Sequence, residues 1–538
     1  MALDYPLTNK LRVILEIQRC SAKNVYFLGA GFSATAGLPT FKDIHARMEE
    51  IYSENLFEDE SQKNVFQNVL QIWKSEYYDC DIELYYTSNE IYEKLSPSGT
   101  FSIKSFVTTR EIMKVISGTI QILLKKAKPD SIHYYEEFLK NINKGDIKGA
   151  VIGDAIITTN WDIILESLNN VLEDGWVNYE CSDGTKYVEA YDRKGEQTAV
   201  YNIFKIHGSL NWGFCKYCKK IYYFTKETYT KLTSEEGVRC KNHGTHLFSW
   251  DDVLGGRNDE RLKESLNRYF SIDWVKKANI IKIEEIDNIG ARINDTMILL
   301  TDEKNSLLLK LNDEKRKLIL KFDDGGTEEF DALMENGRLN IYPTKLEPFI
   351  VPPTFLKSDR METIWLSAFD CLRSCEKIYF IGYSFPETDA QTKVLVSSAL
   401  RKNTVLREII VVSKDLFIWN EIPGNDNGKL IDFLKQDLDI AWIRKPNIEK
   451  IDNDETIKVS DEQNSLLLRL NEEGTKVELK IGEDAYASNL LVKEEDGNLY
   501  VYDENFKKRY ISAIPEKHRS KIRFFFKGFK AFCEEDLK

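Results

Sequence analysis

Four groups of residues in this chain have the types and spacing to do chemistry. The first is GAGFSATAGLP at 29–39, which follows the apolar run 25–28. Glycines at a strand end let the backbone turn tightly and approach an anion closely. The segment therefore reads as a cradle for nucleotide phosphates, built from Gly29, Ala30, Gly31 and the Ser33 hydroxyl. Its glycines fall at 29, 31 and 37, so the third comes too late for the G-x-G-x-x-G fingerprint. No G-K-S or G-K-T follows, so it is not a P-loop. The second group is TTNWD at 158–162, with Thr159, Asn160 and Asp162. An asparagine amide both donates and accepts, so Asn160 can fix a water or a sugar hydroxyl. Asp162 can orient that network, stabilise positive charge, or cap a following helix, IILESLNN. The third is His207 in KIHGSLNW. Histidine titrates near neutral pH and is the natural general base. The fourth is Cys215, Cys218, Cys240 and His243, a C-x-x-C then C-x-x-H arrangement. That spacing matches a closed structural zinc site, with His246 competing for the fourth position; the alternative is a degenerate ribbon without metal.

Elements at regular intervals are needed to hold these groups. Apolar, β-branched runs at 25–28, 155–159, 200–206, 377–382 and 408–412 read as strands of one parallel sheet. Residues 1–24 read as an opening helix, and 45–148 as a large helical insertion with apolar residues at helical spacing. Strand, helix, strand with short loops is the signature of an α/β fold. Ligands bind such sheets outside the carboxyl ends of the strands, and the first three groups above each stand at one.

The chain has 538 residues, enough for several domains. It carries 87 acidic and 74 basic side chains, a formal net charge of −13. That balance argues against a broad nucleic-acid-binding face. No apolar run approaches the ~18 residues of a membrane span, and the N-terminus lacks a signal-peptide pattern, so a cytoplasmic protein is expected. Nine cysteines in so long a chain do not suggest a disulfide scaffold.

An internal duplication is also legible. TDEKNSLLLKLNDEKRKLILKF at 301–322 matches SDEQNSLLLRLNEEGTKVELKI at 460–481 without gaps, with 13 of 22 positions identical. Alternation and turn residues mark each copy as a small antiparallel β module. The boundaries read from the pattern are a discontinuous nucleotide domain at 1–251 and 346–445, a ribbon at 213–247, and β modules at 252–345 and 446–538. The basic, aromatic end of the second module reads as a packing helix, or as a docking element for another subunit.

GAGFSATAGLPTF, TTNWD, KIHGSLNW, EPFIVPPT and GYSFPETD (382–389), in this order, resemble the motifs of the sirtuin family of NAD-consuming enzymes. The resemblance covers about 20–250 and 345–445 and leaves out the two β modules. It implies a Rossmann-like sheet with a zinc ribbon. It also implies NAD as the ligand, His207 as the catalytic histidine, and Asn160 and Asp162 as the polar pair on the nicotinamide side. Gly382 and Ser384 would contact the dinucleotide, and Ser413 would meet the adenosine ribose. Where many members have arginine this chain has Lys42, followed by Asp43, which could act as a substitute acceptor.

The helical insertion and the extra modules make the chain similar to bacterial anti-phage effectors that deplete NAD. The reading this implies is an NAD glycohydrolase held inactive by homo-oligomeric assembly. Its trigger would be a separate partner, such as an ATPase, because the chain has no P-loop. The alternatives are an NAD-dependent protein-lysine deacylase and a non-catalytic NAD or ADP-ribose sensor.

Overall fold

The computed structural model describes residues 21–537 apart from 41–42, 58–59, 77–84, 87, 90–108, 127–128, 147–152, 169–174, 180–187, 191–198, 216, 218–219, 226–227, 233–236, 241–246, 258, 271, 287–291, 313–316, 324–326, 344, 352–360, 387–388, 415, 426, 437–439, 441–442, 444–445, 452–454, 482–483 and 496. Most of the opening helix expected at 1–24, and Lys42, Cys218, His243 and His246, lie outside the described residues.

Six parallel strands build the central sheet: β1 (Asn24–Leu28), β2 (Ala155–Thr158), β3 (Ala199–Lys205), β4 (Lys377–Ile381), β5 (Glu408–Val412) and β6 (Ile522–Phe525). Their spatial order is 3-2-1-4-5-6, and two further strands beside β3 bring the sheet to eight: Gly145–Asp146, antiparallel, and Gly175–Asn178, parallel. β1, β2 and β5 are buried almost throughout, as expected where both faces of a parallel sheet are covered. Register does the positioning. Leu28 stands opposite both Thr158 and Ile381, Ile381 opposite Val412, Val412 opposite Phe525, and Thr158 opposite Lys205. The residues that follow these six therefore emerge along one edge of the sheet. Strand order reverses between β1 and β4, which opens the crevice where doubly wound sheets take ligands.

Among the described residues, the connection from β1 to β2 holds the short helix Ala30–Ala34 and then Ile44–Ser53, Glu60–Glu76, Thr109–Lys125 and Pro129–Lys140. The last presents Tyr135 and Phe138, both fully buried, to Phe32 and Tyr26. Gly208–Phe214, which carries the rest of the H-G-S motif, pairs with Glu347–Ile350 in a separate four-stranded sheet.

The duplicated segments form two antiparallel seven-stranded sheets. In each, one short strand (Phe248–Ser249 or Phe417–Ile418) pairs with the last strand of a six-stranded meander. The match extends to single bonds. Asp302 accepts from the Asn305 amide at 2.8 Å, and Asp461 from the Asn464 amide at 2.6 Å. Those bonds turn equivalent hairpins, Thr301 opposite Ser306 and Ser460 opposite Ser465. Each unit begins earlier than the strong sequence match, at LFSW (247–250) and LFIW (416–419).

The pairing divides the chain differently from the sequence-based boundaries. The second sheet ends at Asp503. Helices α1 (Ala30–Ala34) and α2 (Ala390–Lys402) follow β1 and β4, and beyond Asp503 the chain returns to the core as helix α3 (Glu504–Ala513), strand β6 and helix α4 (Gly528–Glu535). The second module is thus inserted between two strands of the central sheet. Among the described residues, no helix is long and apolar enough to cross a membrane.

Candidate active site at the carboxyl ends of the central strands

A cavity of about 880 Å³ opens along the edge where the six strands end, within the usual size range of ligand sites. It gathers residues from the glycine loop, TTNWD, KIHGSLNW and GYSFPETD. Ala30, Gly31, Ser33, Thr159, Asn160, Asp162, His207, Gly382, Ser384 and Ser413 all line it. Gly29 lies behind its wall, and the Asp43 carboxylate accepts the Thr40 hydroxyl at 2.6 Å instead of lining the space.

The glycine loop is shaped first by its own neighbour. A Cβ on Gly29 would stand 2.6 Å from the Gly382 oxygen, and one on Gly31 2.8 Å from the Gly382 Cα. Gly382 itself has φ +63°, and a Cβ there would meet the Phe32 nitrogen at 2.2 Å. These three glycines let the loops after β1 and β4 pack backbone to backbone. Gly29 N–H donates to Ile381 at 3.0 Å and Gly31 N–H to Gly382 at 2.9 Å. Both amides are therefore engaged within the protein. Ala30, in the first turn of α1, carries the amide left for a ligand.

Ser33 is also engaged, and its partners give it a different part from the phosphate contact expected. Its hydroxyl is buried, accepts from Asn160 Nδ2 at 2.9 Å and donates to Asp162 Oδ2 at 2.6 Å. Asn160 Nδ2 also donates to the Gly29 carbonyl at 2.9 Å. The amide's oxygen is then what Asn160 can offer a water or ribose hydroxyl. Asp162 Oδ1 accepts the Ile164 amide at 3.0 Å, just ahead of a 3-10 turn at Leu165–Ser167 that stands where a longer helix was expected and has no side-chain cap. Burial pushes the Asp162 carboxyl above its ordinary range, opposed by nearby Lys205 and by the Ser33 hydroxyl.

Beneath this triad lies a polar network that the sequence did not reveal. Buried Lys205 pairs with Glu166 at 2.9 Å, donates to Ser209 at 2.8 Å and bonds the Asp162 carbonyl. Tyr179 donates to the same Glu166 at 3.1 Å, and Ser209 to Asn211 at 2.6 Å. A buried cation with its charge and donors matched fixes the backbone that carries Asp162.

His207 follows β3 and is 2% exposed. Its Nε2 lies 3.4 Å from Asp389 Oδ2 and 3.5 Å from the Thr392 hydroxyl. Asp389, also 2% exposed, accepts the Tyr383 hydroxyl at 2.9 Å and caps α2 through the Thr392 amide at 3.3 Å. In the sequence Asp389 stands out only as the last residue of GYSFPETD. Its proximity to His207 comes from tertiary structure across 182 positions.

The far side of the cavity is formed by the returning chain. Phe506 of α3 and Lys527, Gly528, Phe529 and Lys530 line it beside Ser413 and Lys414. Gly528 N–H donates to the Ser413 carbonyl at 3.0 Å. Phe529 packs 4.7 Å from Phe32, holding α1 from behind. Arg509 donates to the Ser384 carbonyl at 3.0 Å, and Tyr510 to that of Tyr383. The apolar run IRFFF is the signal that could have marked β6. Lys527, paired with Glu535 at 3.0 Å, and Lys530 line the space beside the loops after β5 and β6, whereas Asp162 lines it after β2 and Asp389, on the loop after β4, meets the His207 that follows β3.

For the metal, the described half of the ligand set is Cys215 and Cys240. Both are buried, both influence Tyr269, and Cys240 Sγ lies 3.2 Å from the Tyr222 hydroxyl. Among the described residues no group of three potential ligands assembles.

No family model matches the chain, and no curated protein does. Among solved structures, "Structure of Sir2Tm bound to a propionylated peptide" aligns with 76% of this chain and 86% of its own. The identity is 12% and the TM-score 0.23.

Proposed function

We propose that this cavity binds NAD and hydrolyses its nicotinamide–ribose bond, giving ADP-ribose and nicotinamide. The observation that supports it most is the gathering of Asn160, Asp162 and His207 in the cavity that the loops after β1 and β4 enclose. The order of the five motifs, similar to that of the sirtuin family, agrees with it.

The charge pattern suits a dinucleotide. From β3 to β6 is five strand spacings, about 24 Å, long enough for an extended molecule. The lysine side suits the phosphates and the adenosine. The carboxylate side suits a cationic nicotinamide and the oxocarbenium-like ribose that follows its departure. Nicotinamide leaves readily, so the protein's tasks are to hold the ribose, place a water and take its proton. Asn160 Oδ1 is suited to orient the water or a ribose hydroxyl. Ionised Asp162 stabilises the growing positive charge, and His207 accepts the proton.

In this reading the biological role is NAD depletion as an anti-phage effector, with homo-oligomeric assembly and a separate trigger such as an ATPase. Zinc, held by Cys215, Cys218, Cys240 and His243, would be purely structural, since four protein ligands leave no open position. The test is incubation of the full chain with NAD, with and without an acetylated peptide, following nicotinamide and ADP-ribose. Release with NAD alone supports hydrolysis. Release only with peptide, together with an acylated product, assigns the deacylase reading instead.

A further inference from the structure

We infer that Asp389 is the positioning residue of His207, a buried carboxylate that holds the proton on Nε2 and so fixes the plane and tautomer of the ring. This inference rests on the reading of His207 as the base for NAD hydrolysis.

The geometry carries it in three steps. First, both side chains are 2% exposed and the carboxylate oxygen is 3.4 Å from Nε2. Such contacts are commonly long in a ligand-free site and tighten on binding. Second, the carboxylate is itself held. Tyr383 donates to Oδ2 at 2.9 Å and the Thr392 amide to Oδ1 at 3.3 Å. Burial and the adjacent Asp389 push the Tyr383 phenol well up, which keeps it protonated as a donor. Third, Tyr383 is fixed by rings of Phe27 at 4.8 Å and Phe385 at 4.9 Å. In a neutral imidazole one nitrogen donates and the other accepts. A proton held on Nε2 makes Nδ1 the accepting nitrogen. Asp162 lines the same cavity as His207, and Lys205 stands two residues earlier on β3.

Asp389 also caps α2, so the test must separate capping from positioning. Asparagine and serine cap as well as aspartate, but neither supplies the charge. Asp389→Asn and Asp389→Ser are therefore compared with wild type and with Thr392→Val. Two readouts are used: NAD turnover with NAD affinity, and ¹⁵N spectra of histidine-labelled protein with His207 assigned by His207→Gln. The chain has six histidines, so the spectra are tractable. The expectation is unchanged melting, NAD affinity within about twofold, kcat lowered at least ~100-fold, and a His207 pattern shifted away from the Nε2–H form. Thr392→Val, which removes the other neighbour of Nε2, should lower kcat less than Asp389→Asn; an equal or larger loss overturns the assignment to the carboxylate. Wild-type kcat in Asp389→Asn, or an unchanged His207 ¹⁵N pattern, overturns the inference. If wild-type protein leaves NAD intact, the hydrolase reading fails while the ¹⁵N comparison still decides the part played by Asp389.

Discussion

Replacing Ser33 with alanine separates two accounts of the glycine loop. A serine that binds phosphate and a serine that links Asn160 to Asp162 fail differently. The structure supports the link: one bond of 2.9 Å received and one of 2.6 Å given to a carboxylate. A hydrogen bond to a charged group contributes about 1.5–3 kcal/mol. That bond favours the ionised form, so its loss raises the Asp162 carboxyl further above its ordinary range and holds the proton to higher pH. The acid limb of the pH–rate profile for NAD cleavage should therefore move upward. Activity should recover towards alkaline pH, with NAD affinity by calorimetry within about twofold. An unmoved limb with weakened NAD binding would refute the link and restore the phosphate contact.

Other substitutions probe the scaffold. Gly382→Ala places a Cβ 2.2 Å from the Phe32 nitrogen at a φ of +63°. It should destabilise the core by about 2–4 kcal/mol in thermal or urea denaturation; a wild-type melting curve would contradict the packing. Phe529→Ala removes a ring buried against Phe32, Tyr135 and Phe138. The expected cost is about 3 kcal/mol, with weaker NAD binding by calorimetry because α1 loses its support. Unchanged stability and affinity would make the terminal segment peripheral. Elemental analysis should find one zinc per chain, lost in Cys215→Ser along with thermal stability; a zinc-free, stable wild type would leave the cysteines as buried thiols.

Much of the core was legible because parallel strands buried on both faces are written as short apolar runs. The runs at 155–159, 200–206, 377–382 and 408–412 coincide closely with β2 to β5. Residues just past those runs, Asn160, His207, Gly382 and Ser413, consequently meet at one cavity. β6 was hidden for two reasons. It is an edge strand with Arg523 exposed, so its pattern is mixed, and its partner β5 lies over a hundred residues away. The jobs of Ser33 and Asp389 were not legible either. Hydroxyl and carboxylate partners are chosen by tertiary packing, and the sequence shows only that such groups stand near strand ends. The duplication was plain in its hairpins, where turn residues are constrained, and faint at LFSW and LFIW, where only three of four residues are identical.

The most direct test is a time course of the purified full chain with NAD, resolved by chromatography, beside Asn160→Ala and His207→Ala. The account predicts equal amounts of nicotinamide and ADP-ribose without any peptide, and loss of at least ~100-fold in each variant. NAD that stays intact until an acylated peptide is added, or variants that cleave it as fast as wild type, would contradict it.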